Sequence, residues 1–176
     1  MYRILYSIPF WNLCIGLLIF CNIWVWARKH LVQTNVWRWI HFFLIFLWAG
    51  VCLYFTIFSR SAGNGQVMLM PFWSYRIAFL EGSYDYFQQI YLNVLLFFFF
   101  GLFAPEVSKQ KGRYLVIITG SILFSTIIEC CQFWLDIGMA EFDDVFSNTL
   151  GTIFGALVNW MAEKYAIRSL VEKSDE

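Results

Sequence analysis

The chain has little charge and little proline. Lys, Arg, Asp and Glu together make up 14% of its 176 residues, against about 25% in an ordinary soluble domain, while 60% of the residues are hydrophobic. That composition excludes a water-soluble globule. Twelve basic residues balance twelve acidic ones, so no basic surplus exists to neutralise phosphates and no acidic surplus marks a solvated tail. Nucleic acid is therefore not expected as a partner. Three prolines beside 20 Phe, 9 Trp and 9 Tyr exclude a disordered or low-complexity protein. The five cysteines, Cys14, Cys21, Cys52, Cys130 and Cys131, sit inside apolar runs, where they read as packing residues instead of a disulfide framework. There is no C-x-x-C pair, and His30 and His41 lack metal-ligand spacing. Neither a metal nor a cofactor is expected.

What the chain does have is long apolar runs. The stretch from Ser7 to Ala27 carries no charge and is long enough, at about 1.5 Å per residue, to cross a hydrocarbon core of about 30 Å. It exceeds the apolar region of a signal peptide and lacks a small-x-small cleavage site. Further spans are expected from about Trp39 to Ser59, Phe87 to Ala104, Tyr114 to Leu135 and Asp144 to Ala162. The expectation is an all-α integral membrane bundle of five transmembrane helices, one membrane domain over residues 1–176. Arg28, Lys29, Arg38, Lys109, Lys111, Arg113, Lys164, Arg168 and Lys173 fall on one side of these spans, and only Arg3, Arg60 and Arg76 on the other. Basic loops stay cytoplasmic, which puts the N-terminus outside and the C-terminus inside. Trp24, Trp26, Trp37 and Trp39 around the first inner loop, and Trp134 near the outer end of span four, suit an aromatic belt.

Between Arg60 and Phe87 the segment MLMPFWSYRIAFL is too apolar for a solvated loop. It is expected to lie along the outer membrane surface or dip between the helices, turning at Pro71, Phe72 and Trp73, or else to form a short amphipathic helix that closes the bundle.

A carboxylate at the centre of a membrane helix costs about 2.5 to 3.5 kcal/mol on the insertion scale, so each one needs a reason. Glu129 lies about 9 Å below the outer end of span four, with Gln132 three residues on along the same face. Asn93 lies about 9 Å deep in span three, and Asp144, Asn148 and Thr152 form one stripe at i, i+4 spacing on span five. Arg60 closes span two on that outer side, a natural counter-charge for Glu129 or for Asp143 and Asp144. These residues predict a polar pocket opening to the extracytoplasmic face, against the alternative of a hydrogen-bonded helix clamp that binds nothing. Gly151 and Gly155, with Ser121 and Ser125 at the same spacing on span four, are expected to bring spans four and five together. Glu106 is expected in a hydrated inner loop.

The run NVLLFFFFG from Asn93 to Gly101, and IIECCQFWLDIGMAEFDDVFSNTLGTIFG from Ile127 to Gly155, together with Arg60 and Pro71-Phe72, resemble the VanZ-like family of bacterial membrane proteins over roughly Phe42 to Ala162. The extra N-terminal span, residues 7–27, lies outside that region. Glu129, Gln132, Asp144, Asn148, Thr149 and Gly151 fall on the family's Glu-x-x-Gln and Asp-x-x-x-Asn-Thr-x-Gly positions. Phe99 stands where proline is common, Glu141 where many relatives have Asp, and Gly138 where some carry Arg. The resemblance implies a role in low-level resistance to glycopeptide antibiotics of the teicoplanin class. It adds Thr149 to a binding set of Arg60, Asn93, Glu129, Gln132, Asp143, Asp144 and Asn148.

Two functions follow as expectations. The first is a non-enzymatic protein of the bacterial cell membrane, with membrane lipids and either a lipoglycopeptide antibiotic or a lipid-linked cell-wall precursor as partners. The alternative is an intramembrane enzyme acting on a lipid-linked envelope substrate, with Glu129 as acid or base and Asp144 as the candidate second catalytic carboxylate. A transporter is disfavoured because the inner halves of the spans carry almost no polar residues and no repeat is visible.

Overall fold

The computed structural model describes residues 10–31, 34–58, 66–108 and 110–174. Among them are six α-helices: α1 Phe10–Leu31, α2 Asn35–Leu53, α3 Trp73–Phe79, α4 Tyr84–Phe103, α5 Arg113–Trp134 and α6 Phe142–Ser174. A π-helical turn, Tyr54–Phe58, continues α2, and a 3-10 turn, Ala104–Glu106, continues α4. Three stretches are long and apolar enough to cross a membrane: Asn35–Phe58, Tyr84–Glu106 and Arg113–Trp134. Phe46, Leu115, Val116 and Trp134 expose apolar side chains on them or at their ends, a surface suited to lipid and not to water. With Phe99 in place of proline, α4 runs without interruption from Tyr84 to Phe103.

The chain divides into two compact units, one of Met1–Trp39 with Met161–Glu176, the other Ile40–Trp160. In the first, Thr34 starts α2 as an N-cap, its hydroxyl accepting from the Trp37 N–H at 3.3 Å and donating to the Leu31 carbonyl at 2.7 Å. That turn sets Trp37 against Trp24, ring centroids 6.1 Å apart, with the Arg28 guanidinium over the Trp24 ring at 5.7 Å. Both tryptophans are buried, while Trp26 and Trp39 are exposed. Packing against a neighbouring ring and a cation thus claims Trp24 and Trp37 and leaves Trp26 and Trp39 at the surface.

The second unit is built around Trp48 of α2. Its ring stacks on Phe100 at 4.6 Å, meets Phe97 edge-on at 5.4 Å and lies 5.6 Å from Phe124, so α2, α4 and α5 share one core with Cys52 and Ile128. The indole N–H is satisfied by the Leu96 carbonyl at 2.8 Å, which lets a large ring with one polar handle lie in the core.

The glycine face of α6 packs differently from expectation. A methyl group at Gly151 would overlap the Val94 carbonyl, and one at Gly155 would overlap the Phe98 carbonyl, both on α4. Gly101 of α4 lies equally close to the Thr152 backbone. The glycines thus join α4 and α6, because α4 supplies a third small residue where the backbones meet. Span four meets α6 through a hydrogen bond instead, Asn148 Nδ2 to Ser125 Oγ at 2.7 Å.

Candidate functional site

The polar residues gather at the end of the Ile40–Trp160 unit where α4 and α6 begin and α5 stops. The connection between α2 and α3 contributes a two-residue strand, Val67–Met68, paired in parallel with Ala140–Glu141. This pairing fixes Glu141 immediately before α6. Its backbone N–H donates to Glu129 Oε2 at 3.0 Å, and its carboxylate accepts from Ser74 Oγ at 2.7 Å and Gln89 Nε2 at 3.2 Å. The same Gln89 amide also donates to Asp144 Oδ1 at 3.0 Å. Glu129, Glu141 and Asp144 are all buried, so Glu141 and Gln89 link the two carboxylates that the sequence singles out.

The segment around Pro71 does turn there. Phe72 adopts a left-handed conformation, φ 62°, and α3 begins at the next residue. Such a φ is unfavourable for a bulky side chain. Its fixing comes from Asp143, whose two oxygens accept from the Phe72 N–H at 2.7 Å and the Ser74 N–H at 2.8 Å. Tyr75 adds a hydroxyl contact to Ser147 at 2.8 Å, and the Phe72 ring meets Phe146 at 5.2 Å. Burial raises the Tyr75 phenol above its ordinary value; its Ser147 hydrogen bond opposes the shift, and the nearby Asp143 and Asp144 charges add to it. The segment is thus a short helix docked onto α6 by one carboxylate and a cluster of rings.

The remaining candidates divide. Gln132 donates to the Thr56 carbonyl at 3.0 Å, using an acceptor in the π-helical turn of α2. It is 1% exposed, and its Oε1 has no partner. Asn148, 3% exposed, spends its Nδ2 on Ser125 and leaves Oδ1 unpartnered. Asn93 leaves a buried Nδ2 unpartnered, and Gln88, on the adjoining face of α4, leaves both amide atoms unpartnered. Thr149 turns to its own helix, donating to the Val145 carbonyl at 2.7 Å. Thr152 does likewise to Asn148 at 3.1 Å. Arg60 lies outside the described residues. Among those described, no three His, Cys, Asp or Glu side chains are set to hold a metal ion.

Sequence reasoning missed Glu141, Gln89, Ser74, Tyr75 and Ser147 as participants. Glu141 belongs to the acidic run of Asp136, Asp143 and Asp144, of which only Asp136 is exposed. The signal available was spacing: Ser147 sits at i+4 from Asp143, and Gln89 one turn before Asn93.

The opposite end of the same unit holds a second polar cluster. Asn159 is fully buried; its Nδ2 donates to the Leu102 carbonyl at 2.9 Å and to Glu106 Oε1 at 2.8 Å, and its Oδ1 accepts from the Tyr114 hydroxyl at 3.0 Å. Arg113 reaches the Tyr114 oxygen at 3.2 Å and the Ser108 carbonyl at 3.2 Å. Glu106 is therefore a partly buried partner of α6 and not a residue of a hydrated loop, and this end of the unit is not devoid of polar groups. The reason is the 3-10 turn, which carries Glu106 back over the end of α4.

The family model VanZ/LLP1 matches residues 41–163, and the chain belongs to that family. No curated protein and no solved structure matches it. With three membrane-length apolar helices, it is a helical membrane protein.

Proposed function

We propose that this member of the VanZ/LLP1 family is a multi-pass bacterial membrane protein of five spans, N-terminus outside and C-terminus inside. Its acidic, amide-lined end faces the extracytoplasmic side and lowers the effect of teicoplanin-class lipoglycopeptides. One observation carries the reading: Gln132 and Asn148, on two different helices, keep buried acceptors without partners beside Glu129, Glu141 and Asp144. A clamp made only for stability satisfies its polar groups, since each orphan costs about 1 to 3 kcal/mol. Intramembrane ionisable residues retained at such cost are a mark of function. The binding set is Arg60, Asn93, Glu129, Gln132, Asp143, Asp144, Asn148 and Thr149, to which the hydrogen bonds of Glu141 and Gln89 add two members.

Expression in a sensitive bacterial host, with inhibition by teicoplanin and vancomycin measured in parallel, tests the proposal. A rise in the teicoplanin concentration required, abolished by Glu129→Gln at matched protein amount, is the expected result. An unchanged teicoplanin response refutes it. Thiol labelling from outside, at cysteines introduced at Gly138 and Lys111, tests the orientation: Gly138 labels and Lys111 does not.

A second reading has its own support. Gln89 bridges Glu141 and Asp144 with a single amide nitrogen, and two carboxylates so joined, beside Glu129, suit acid and base roles on a lipid-linked envelope substrate. Turnover of lipid-linked precursor by the purified protein, lost in Glu129→Gln, would favour the enzyme over the first reading.

A further inference from the structure

The unpartnered atoms specify a ligand chemistry. Gln89 of α4 bonds Asp144 of α6, and one turn further along each helix stand Asn93 and Asn148. At this second level Asn93 Nδ2 is a donor without an acceptor and Asn148 Oδ1 an acceptor without a donor. Ser125, the partner of Asn148 Nδ2, lies one turn before Glu129 on α5, and Gln132 with its unpartnered Oε1 follows Glu129 by three residues. The vacant capacity of these three side chains is thus mixed, one donor and two acceptors on helices α4, α5 and α6, and Gln88 of α4 adds a further donor and acceptor, with Glu129, Glu141, Asp143 and Asp144 alongside.

A phosphate or carboxylate would answer only the donors, leave the acceptors unmet and meet four buried carboxylates, Glu129, Glu141, Asp143 and Asp144. An ammonium group would answer the acceptors and leave Asn93 unmet. A hydroxyl both donates and accepts, so a sugar, which carries several of them, answers donors and acceptors alike. Resting on the outer-face reading proposed above, we infer that this end of the bundle recognises the hydroxyl groups of a sugar ring. All three atoms are shut away from solvent, so the sugar reaches them through an opening of this end, where α3 is held by hydrogen bonds. The bonds that α3 would release, Phe72 N–H and Ser74 N–H to Asp143 and Ser74 Oγ to Glu141, free carboxylate oxygens that sugar hydroxyls can take up in turn. The sugar has two candidate sources, the drug itself or a lipid-linked cell-wall precursor.

Binding to the full chain in lipid nanodiscs separates them, with four probes: teicoplanin, its sugar-free aglycone, the undecaprenyl-diphosphate-linked disaccharide pentapeptide, and undecaprenyl diphosphate. At least tenfold tighter binding of the glycosylated member in either pair is expected, and the pair that shows it identifies the source. Equal binding within both pairs overturns the sugar assignment while the teicoplanin-susceptibility test still stands on its own. Failure of all four to bind overturns it too. Asn93→Leu supplies a second readout, because it deletes a donor that has no partner in the free protein. Thermal stability should hold or rise while binding of the glycosylated probe falls about tenfold; loss of stability with unchanged binding would make Asn93 structural and overturn its part.

Discussion

The two ends of the Ile40–Trp160 unit carry similar polar groups in opposite states of completion. At one end a single buried amide, Asn159, satisfies both of its atoms, tying α4, the 3-10 turn and α5 to α6. At the other, Gln132, Asn148, Asn93 and Gln88 all retain buried atoms with no partner, next to four buried carboxylates. The apolar seam between them is common to both, so a demand for helix association cannot explain the difference. A complete network rigidifies a bundle. An incomplete one costs stability, and its retention points to a use outside the folded chain itself.

The largest way to break this comparison is to part the helices that both ends depend on. Gly155→Ala puts a methyl group into the Phe98 carbonyl, and overpacking against a backbone atom that cannot swing aside should cost about 3 kcal/mol. Gly120→Ala in α5 meets nothing within 4 Å and should be neutral or stabilise by up to about 1 kcal/mol through helix propensity. Unfolding in a denaturing detergent titration measures both. Similar midpoints would mean that the α4–α6 approach is not close. Next comes the satisfied end. Asn159→Leu removes the acceptor of the Tyr114 hydroxyl proton and the donor to Glu106 and to the Leu102 carbonyl, at about 1 to 3 kcal/mol, yet teicoplanin protection per folded molecule should persist. Glu129→Gln should do the reverse, keeping the fold and losing protection. If Asn159→Leu abolished protection at matched folded amounts, the division into clamp and site would fall.

How much of this was legible in the sequence follows from the range of the forces involved. Span limits were readable to within a few residues for α4 and α5, because hydrocarbon length and composition set them locally. Glu129, Gln132, Asp144 and Asn148 stood out for the same reason: each is a polar residue at a position where its own helix offers no excuse for it. Glu141 did not, since its burial depends on pairing with Val67–Met68, over seventy residues earlier. The partner of the glycine face was likewise illegible. Gly151 and Gly155 announce a close approach but not which helix makes it, and Gly101 gains its meaning only once α4 lies alongside. Asn159 and Glu106 were passed over because a 3-10 turn, invisible in the apolar pattern, returns the carboxylate to the bundle.

A smaller effect sharpens the acidic end itself. Asp143 serves two backbone N–H groups at once, a task Asn can only half fulfil, having one acceptor oxygen. Asp143→Asn should therefore leave the bundle intact while loosening α3 locally. Amide exchange at Phe72 and Ser74 should quicken about tenfold, the equivalent of about 1.4 kcal/mol, with exchange in the Asn159 cluster unchanged. Exchange rising equally at both ends would show that α3 is integral to the bundle and not a docked cover.

The smallest effect is a pH dependence of that docking. Tyr75 is neutral when protonated, and burial raises its folded value above the ordinary 10.0, with Asp143 and Asp144 disfavouring the phenolate further. Its contribution to holding α3 is thus fully present below the ordinary tyrosine range and is lost as pH climbs through the raised value, where ionisation sets a partly buried negative charge beside two carboxylates. Subtracting the alkaline absorbance titration of Tyr75→Phe from that of the parent isolates this one phenol. The difference curve should have its midpoint above 10.0, and α3 amide exchange should accelerate along the same curve only in the parent. A midpoint at or below the ordinary value would place Tyr75 in water and detach α3 from the acidic end.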